Sequence, residues 1–446
     1  MDLDPLWLSR LQFALTIGFH FLFPPLTIGL AWLLVIVEGI GWRRGDEDYV
    51  RAGKFFAKIL GLTFVVGVAT GIVMEFQFGT NWAEYSKFVG DIFGAPLAIE
   101  AIFAFFLEST FLALYLFGRD KVSKGVHWLS CLIVAIGSTL SAFWIIVANS
   151  WQQTPAGYTI RNGRAELDGF AAAVFNPSTS IRFLHVFTAC LIAGAFFMAG
   201  ISAYLLLKDK TSEVARKTLK ISLVVAFLAS LAALFPTGHH HAQEVAQWQP
   251  EKLAAMEGLI KGQENAPLTM FGVPKENPPK LDYAVGIPGM LSWLAFGEMD
   301  HYVAGMEDFP EDERPPMVIT FLSFHAMVGL GSFFIGFTSL GILLLICKRL
   351  YGAWWYLWLL VLAIPLPLAA CEVGWITAEV GRQPWVVYRL LRTADAFSTN
   401  VSGGEILFSI IMFGLIYLVL GALYLFILVR KVRRGPETSA GEETQP

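Results

Sequence analysis

The sequence predicts an all-α integral membrane protein of about nine transmembrane helices in a bundle, with one long outer loop. Three observations carry this. The 446 residues are 55% hydrophobic and only 15% charged, where a soluble domain carries roughly 25% charged residues. The apolar runs are long enough for helical crossings, which need about 20 residues each, and too continuous for the alternating strands of a membrane barrel. The basic residues collect in a few short segments between those runs.

Taken in order, the spans are 12–40, 55–76, 95–117, 127–149, 183–207, 220–236, 317–347, 355–376 and 404–430. Arg43, Arg44, Arg51 and Lys54 separate the first two, and Arg119, Lys121 and Lys124 follow the third. Lys208, Lys210, Arg216 and Lys217 follow the fifth, Lys348 and Arg349 the seventh, and Arg430, Lys431, Arg433 and Arg434 the last. This span count puts all five segments on one side, which the Lys/Arg bias marks as cytoplasmic. The N-terminus is then outside and the C-terminus inside. The first apolar run is of full span length and lacks a small-residue cleavage pattern, so no cleavable signal peptide is expected.

The chain divides into residues 1–236 (helices one to six), 237–316 (the outer loop), 317–430 (the last three helices) and 431–446 (a disordered cytoplasmic tail). The outer loop is rich in Pro, Glu and Asp, and a loop this long in a compact bundle is usually functional or disordered. Within it residues 249–260, QPEKLAAMEGLI, read as a short amphipathic helix begun by proline. No repeat and no glycine-rich nucleotide fingerprint occurs, so nucleotide or hydride chemistry has no support, and no nucleic-acid partner is expected.

Span 95–117 carries Glu100 and Glu108, close to two turns apart, with Ala104 between them on the same stripe. An ionisable group in hydrocarbon costs at least about 2.5–3.5 kcal/mol, and such groups often mark proton or ion paths. Satisfied structural carboxylates are the plain alternative; the proton path is the working reading. His20, His185 and His325 fall inside spans, each in the outer half, as do Met327 and Glu100, with Glu379 at an outer end. A single membrane histidine is more often a helix–helix hydrogen-bond partner than a ligand. Several His, Met and Glu side chains at one depth favour ligation, and these donors suit iron porphyrin. Cys131, Cys190, Cys347 and Cys371 lie in apolar runs and form no CxxC or CxxCH pattern. They read as buried small side chains, so any heme is non-covalent.

His325 and Met327 point about 200° apart on a helix, so only one faces an iron, and chemistry alone does not choose. Arg382, one turn from Glu379 in EVGRQPW, is placed to pair with heme propionates. Taken by itself, that stretch reads as an interfacial Arg/Trp anchor. Lys252 and Glu257 lie about 140° apart on the loop helix, and on their own read as a solvated surface. The run Gly238–His241 reads as an exposed loop rather than a metal site.

Several stretches are similar to one family. SRLQFALTIGFHFLFPPLTIG, GVATGIVMEFQFGTNW, VGDIFGAPLAIEAIFAFFLEST, STLSAFWIIVANSW, KLAAMEG, FHAMVGLG and GWITAEVGRQPW, spread over nearly the whole chain, resemble the large heme-bearing subunit of the cytochrome bd quinol oxidases, in its short quinol-loop form. The resemblance implies a quinol:oxygen oxidoreductase that generates a proton-motive force without pumping, in a bacterial or archaeal cytoplasmic membrane. It implies His185 and Met327 as the axial pair of a low-spin heme b. His20 and Glu379 would serve a high-spin heme b and a heme d, or a further heme b, in an order left open. Glu100, Glu108 and Ser141 would belong to the proton route and heme-site carboxylates, Lys252 and Glu257 to the quinol loop, and Trp375 and Arg382 to the surroundings of the high-spin hemes. Expected partners are quinol, O2, lipid, a second membrane subunit and a small single-span subunit. The family's usual Phe-Arg-x-Met is here Phe-His-Ala-Met, which puts the tuning of the low-spin heme in question. The rivals are a related heme protein without heme d and a cofactor-free proton-coupled transporter, which would be colourless.

Overall fold

The computed structural model describes residues 4–437. Among them are nine helical segments long and apolar enough to cross a membrane. The first is broken into α1 (Pro5–His20) and α2 (Pro24–Arg44). Pro24 and Pro25 supply no N–H to continue α1, yet suit the first turn of α2. Next come α3 (Glu47–Thr80), α4 (Ala83–Ile99), a π-helical turn (Glu100–Phe105) and α5 (Phe106–Phe117). Then follow α6 (Lys124–Gln153), the short α7 (Phe170–Val174), α8 (Thr179–Lys208) and α9 (Glu213–Ala232). A second π turn (Ala233–Gly238) leads into α10 (His239–Trp248). Beyond α11 (Pro250–Glu257) and α12 (Met290–Phe296), the chain re-enters as α13 (Met317–Ile346), α14 (Trp354–Leu362), α15 (Leu366–Val380) and α16 (Gly403–Arg434). Three antiparallel hairpins join them: β1 (Tyr158–Arg161) with β2 (Arg164–Leu167), β3 (Leu268–Lys275) with β4 (Lys280–Ile287), and β5 (Trp385–Val387) with β6 (Leu391–Arg392).

Helix α8 is the most enclosed span, and it packs against α2, α9 and α14. It crosses α2 backbone to backbone. A Cβ on Gly29 would lie 2.0 Å from the Cys190 carbonyl oxygen, and one on Gly194 would lie 2.3 Å from the Gly29 carbonyl carbon. Small residues let membrane helices approach this closely, where packing replaces the hydrophobic drive.

The basic segments meet at one end of the bundle. Lys217 bridges Asp46 and Asp48 at 2.6 and 2.8 Å. Lys208 donates to the Arg433 carbonyl at 2.6 Å, Tyr351 donates to that of Arg216, and Arg119 pairs with Glu38. The long loop and the smaller hairpins occupy the opposite end, here called the loop side.

Several expectations change. The sixth span continues to Trp248, so the loop begins later than residue 237, and His239–His241 are helical rather than loop. Helix α11 is not amphipathic, because Glu251 to Glu257 are all buried beneath the rest of the loop. Cys131 and Cys190 are buried as expected, but Cys347 is exposed at the basic end. Residues 431–434, expected in the tail, complete α16, and residues 438–446 lie outside the described residues.

Replacing Gly194 with Val forces the α2–α8 crossing apart, with overpacking costs of typically about 1–3 kcal/mol. The purified protein should unfold at lower temperature; an unchanged midpoint contradicts the crossing.

A candidate redox cavity on the loop side

One cavity of about 2160 Å³ is walled by α1, α3, α4–α6, α8, α10, α11, α13 and α15. Sites for single small ligands span about 300–1,000 Å³, so this one has room for several groups or a large one. His20, Glu100, Glu108, Ser141, His185, Lys252, Glu257, Met327, Trp375, Glu379 and Arg382 all line it. The eleven come from distant parts of the chain.

Two of the histidines are held in one tautomer. Thr70 Oγ1 donates to the Val66 carbonyl at 3.0 Å. Its proton is therefore committed, and it accepts from His20 Nδ1–H at 2.9 Å. Thr237 Oγ1 does the same, donating to Ala232 O at 3.0 Å and accepting from His185 Nδ1–H at 3.2 Å. Each imidazole is left with a lone pair on Nε2, and this is how ligating histidines are normally oriented. Gly71 and Gly374 make room beside two of these side chains. A Cβ on Gly71 would lie 3.1 Å from His20 Cε1, and one on Gly374 would lie 2.8 Å from Met327 Sδ.

His325 is elsewhere. Its Nε2 donates to the Thr269 carbonyl at 3.0 Å, its Nδ1 faces Phe321 O at 3.0 Å, and its ring stacks on Phe321. With carbonyl oxygens against both nitrogens it offers no lone pair to a metal. Of the pair two residues apart, Met327 is the one in the cavity wall.

Glu100 and Glu108 are brought together less simply than helical spacing implied, because the π turn lies between them. Each meets a serine of α6. Ser141 Oγ donates to Glu100 Oε1 at 2.7 Å, and Ser138 hydrogen-bonds Glu108. Ser138 and Ser141 are three residues apart, one turn, so they face the same way. Gly137 lets α6 approach the backbone at Glu108.

At the mouth, Glu379 pairs with Arg382 and accepts from Asn149 Nδ2 at 2.8 Å. Arg382 is buried and also bonds Trp385 O and Gln152, so the surface-anchor reading is corrected: the guanidinium points inward. Lys252 is buried too, donating to Gln153 Oε1 and Gln249 Oε1, both at 2.5 Å. Burial first, then the charges of Arg182 and Arg382, holds its ammonium well below the usual lysine range. Burial pushes Glu257 up to about 7, against the opposing hydrogen bond from Thr269 N–H. The solvated-surface reading of this pair is therefore replaced by a buried one.

Sequence reasoning missed Ser138, Glu75, Asn149, Gln152 and Arg182 and misread His241; all six line the cavity. Ser138 was findable, three residues before Ser141 on the same face. Arg182 was findable as a basic residue away from the basic end; it bonds Asn149 and its Nε has no partner. His241 is no exposed loop residue, since its ring lies 5.5 Å from that of His185.

A family model described as cytochrome bd terminal oxidase subunit I matches residues 8–436. The chain belongs to this family. It is 41% identical to the cytochrome bd ubiquinol oxidase subunit 1 of Bacillus subtilis (strain 168), over 98% of this chain and 95% of that one. It is 35% identical to the cytochrome bd-II ubiquinol oxidase subunit 1 of Escherichia coli (strain K12), over 99% and 98%. Its fold matches the bd oxidase of Geobacillus thermodenitrificans with a TM-score of 0.92 and 33% identity, covering 98% of this chain and 100% of that one. The chain is thus a multi-pass subunit of a quinol-oxidising, heme-bearing terminal oxidase that works in a complex with other subunits. The cavity fits such cofactors: apolar walls, neutral imidazoles with free Nε2, a thioether, and the buried guanidinium groups of Arg182 and Arg382 at one end to meet anionic propionates.

Gly374→Ala is expected to displace Met327 Sδ and alter the reduced-minus-oxidised spectrum of the purified complex. An unchanged spectrum would separate Met327 from the hemes.

Proposed function

We propose that the loop side is the outer face of the cytoplasmic membrane and that quinol is oxidised there. The basic residues gathered at the opposite end support this orientation. His185 and Met327 would hold a low-spin heme b. His20 and Glu379 would serve two high-spin hemes, one b and the other d or a further b, with Trp375 and Arg382 beside them. Bound there, the hemes carry electrons from quinol to oxygen. The observation that carries this reading is that His20 and His185, each bonded through Nδ1 and left with a free Nε2, line the same cavity as Glu100 and Glu108.

The chain's own residues handle protons. Glu257 accepts a proton from the quinol hydroxyl, and Lys252, held by Gln153 and Gln249, lies in the same cavity wall beside the head group. Quinol protons leave to the outside. Protons for water enter from the basic end, and Glu108 with Ser138, then Glu100 with Ser141, pass them towards the cavity. Because they cross most of the bilayer to reach it, charge is separated without a pump. A second membrane subunit and a small single-span subunit complete the assembly, and residues 249–316 act as the quinol loop.

Glu108→Gln should lower turnover by about 10²-fold, the usual scale for losing a positioned proton-transfer group. Anaerobic reduction of the hemes by quinol should be unchanged in stopped flow. Full turnover in this variant contradicts the path.

Glu257 titrates near pH 7 and accepts a proton only when ionised. The kcat/KM for quinol should therefore rise with pH up to about 7 and level off above it. Glu257→Gln should remove this limb and lower kcat/KM by about 10²-fold. A variant that keeps the limb contradicts the assignment.

A further inference from the structure

The β3–β4 hairpin leaves large apolar side chains uncovered. Phe271 is 59% exposed, Tyr283 83%, Val285 60% and Ile287 42%. Trp293, just beyond the hairpin, is 47% exposed. Tyr283 is also held at a φ of +53°, a left-handed backbone that bulky residues avoid. The irregular pairing between Phe271 and Val273 puts it there, facing outward. Charged residues are confined to the hairpin's far end, where Lys275 and Lys280 both bridge Asp282, at 2.7 and 2.5 Å.

Two contacts fix the depth of the hairpin against α13. Near the tip, Glu276 accepts from the Met317 and Val318 backbone N–H groups, at 3.1 and 2.9 Å. Near the base, Thr269 O accepts from His325 Nε2 at 3.0 Å. These anchor points are seven residues apart on α13, or about 11 Å along its axis, so β3 runs antiparallel to the helix. From His325 to Ile346, beside the basic pair Lys348 and Arg349, is about 32 Å of helix. A usual tilt of about 20° shortens the crossing to about 30 Å, the thickness of the hydrocarbon core. His325 therefore lies at the core's edge. Phe271 and its partner Val285 are within about 7 Å of that edge, two residues along a strand. The headgroup layer occupies about 5–7 Å beyond the core on each side. The charged tip stands clear of it.

We propose that the base of the β3–β4 hairpin is an interfacial membrane element, with Phe271, Tyr283, Val285 and Ile287 resting against lipid in the leaflet at the N-terminal end of α13. Depth and polarity gradient agree on the occupant. The apolar and aromatic side chains sit at the level where bilayers accept such groups, and the Lys/Asp cluster sits in water. The exposed Ile319 and Leu322 of α13 add apolar surface between the levels of the hairpin tip and His325. This placement of the hairpin requires only that α13 crosses the bilayer, so it stands or falls separately from the assignments of hemes, proton path and orientation.

The test uses the intact complex in phosphatidylcholine/phosphatidylglycerol nanodiscs, with the exposed Cys347 replaced by Ser. A nitroxide is attached at Val285→Cys or, at the hairpin tip, at Asn277→Cys, and signal from the Cys347→Ser parent is subtracted. Accessibility to O2, which concentrates in lipid, is compared with that to a water-soluble nickel chelate. The expected result is an O2-to-nickel ratio severalfold higher at 285 than at 277. Equal ratios would place the base in water and overturn the proposal. A label at 285 shielded from both probes would show a protein partner there and overturn it too.

Discussion

Threonine hydroxyls whose protons are already committed to backbone carbonyls set the chemical state of the cavity. Thr70 and Thr237 each leave a histidine only one option, to donate from Nδ1 and present a bare Nε2. Neither threonine is free to turn, because each bonds the backbone of its own helix. Thr237 lies in a π turn, where the i→i−4 register is broken, and its hydroxyl reaches back five residues to the Ala232 carbonyl at the end of α9. The lone pair that His185 keeps thus depends on local helix irregularity as much as on the histidine itself.

The same device recurs at the carboxylates. The π turn from Glu100 to Phe105 interrupts a membrane helix between the two acids, and α6 supplies a serine to each. Burying such groups in an apolar bundle is costly unless they are hydrogen-bonded. Here every bond comes from a neighbouring helix at a matched height. Gly137, which lets α6 approach the backbone at Glu108, helps set those heights.

Much of this was legible in the sequence. Apolar runs and basic segments gave the spans and their common basic end, because both follow from the solvent rather than from tertiary detail. Buried donors and acids stand out in hydrocarbon, so His20, His185, Glu100, Glu108 and Glu379 were visible one by one. What could not be read was set by contacts between distant segments. His325 and Met327 are indistinguishable by type, and only the position of Thr269 in the loop hairpin decides which faces the cavity. Arg382 and Lys252 look like surface charges until Gln152, Gln153 and Gln249 are seen around them. The π turns leave no signature in apolar periodicity, so the histidine run after Ala233–Gly238 passed for loop.

The proposed low-spin heme site depends on the free Nε2 of His185. Its most direct test is a redox-difference spectrum with heme quantitation on the purified complex carrying His185→Ala. The account predicts loss of the low-spin signal and of one heme, with the high-spin signals retained. A complex with the full heme complement and an unaltered low-spin signal would contradict it.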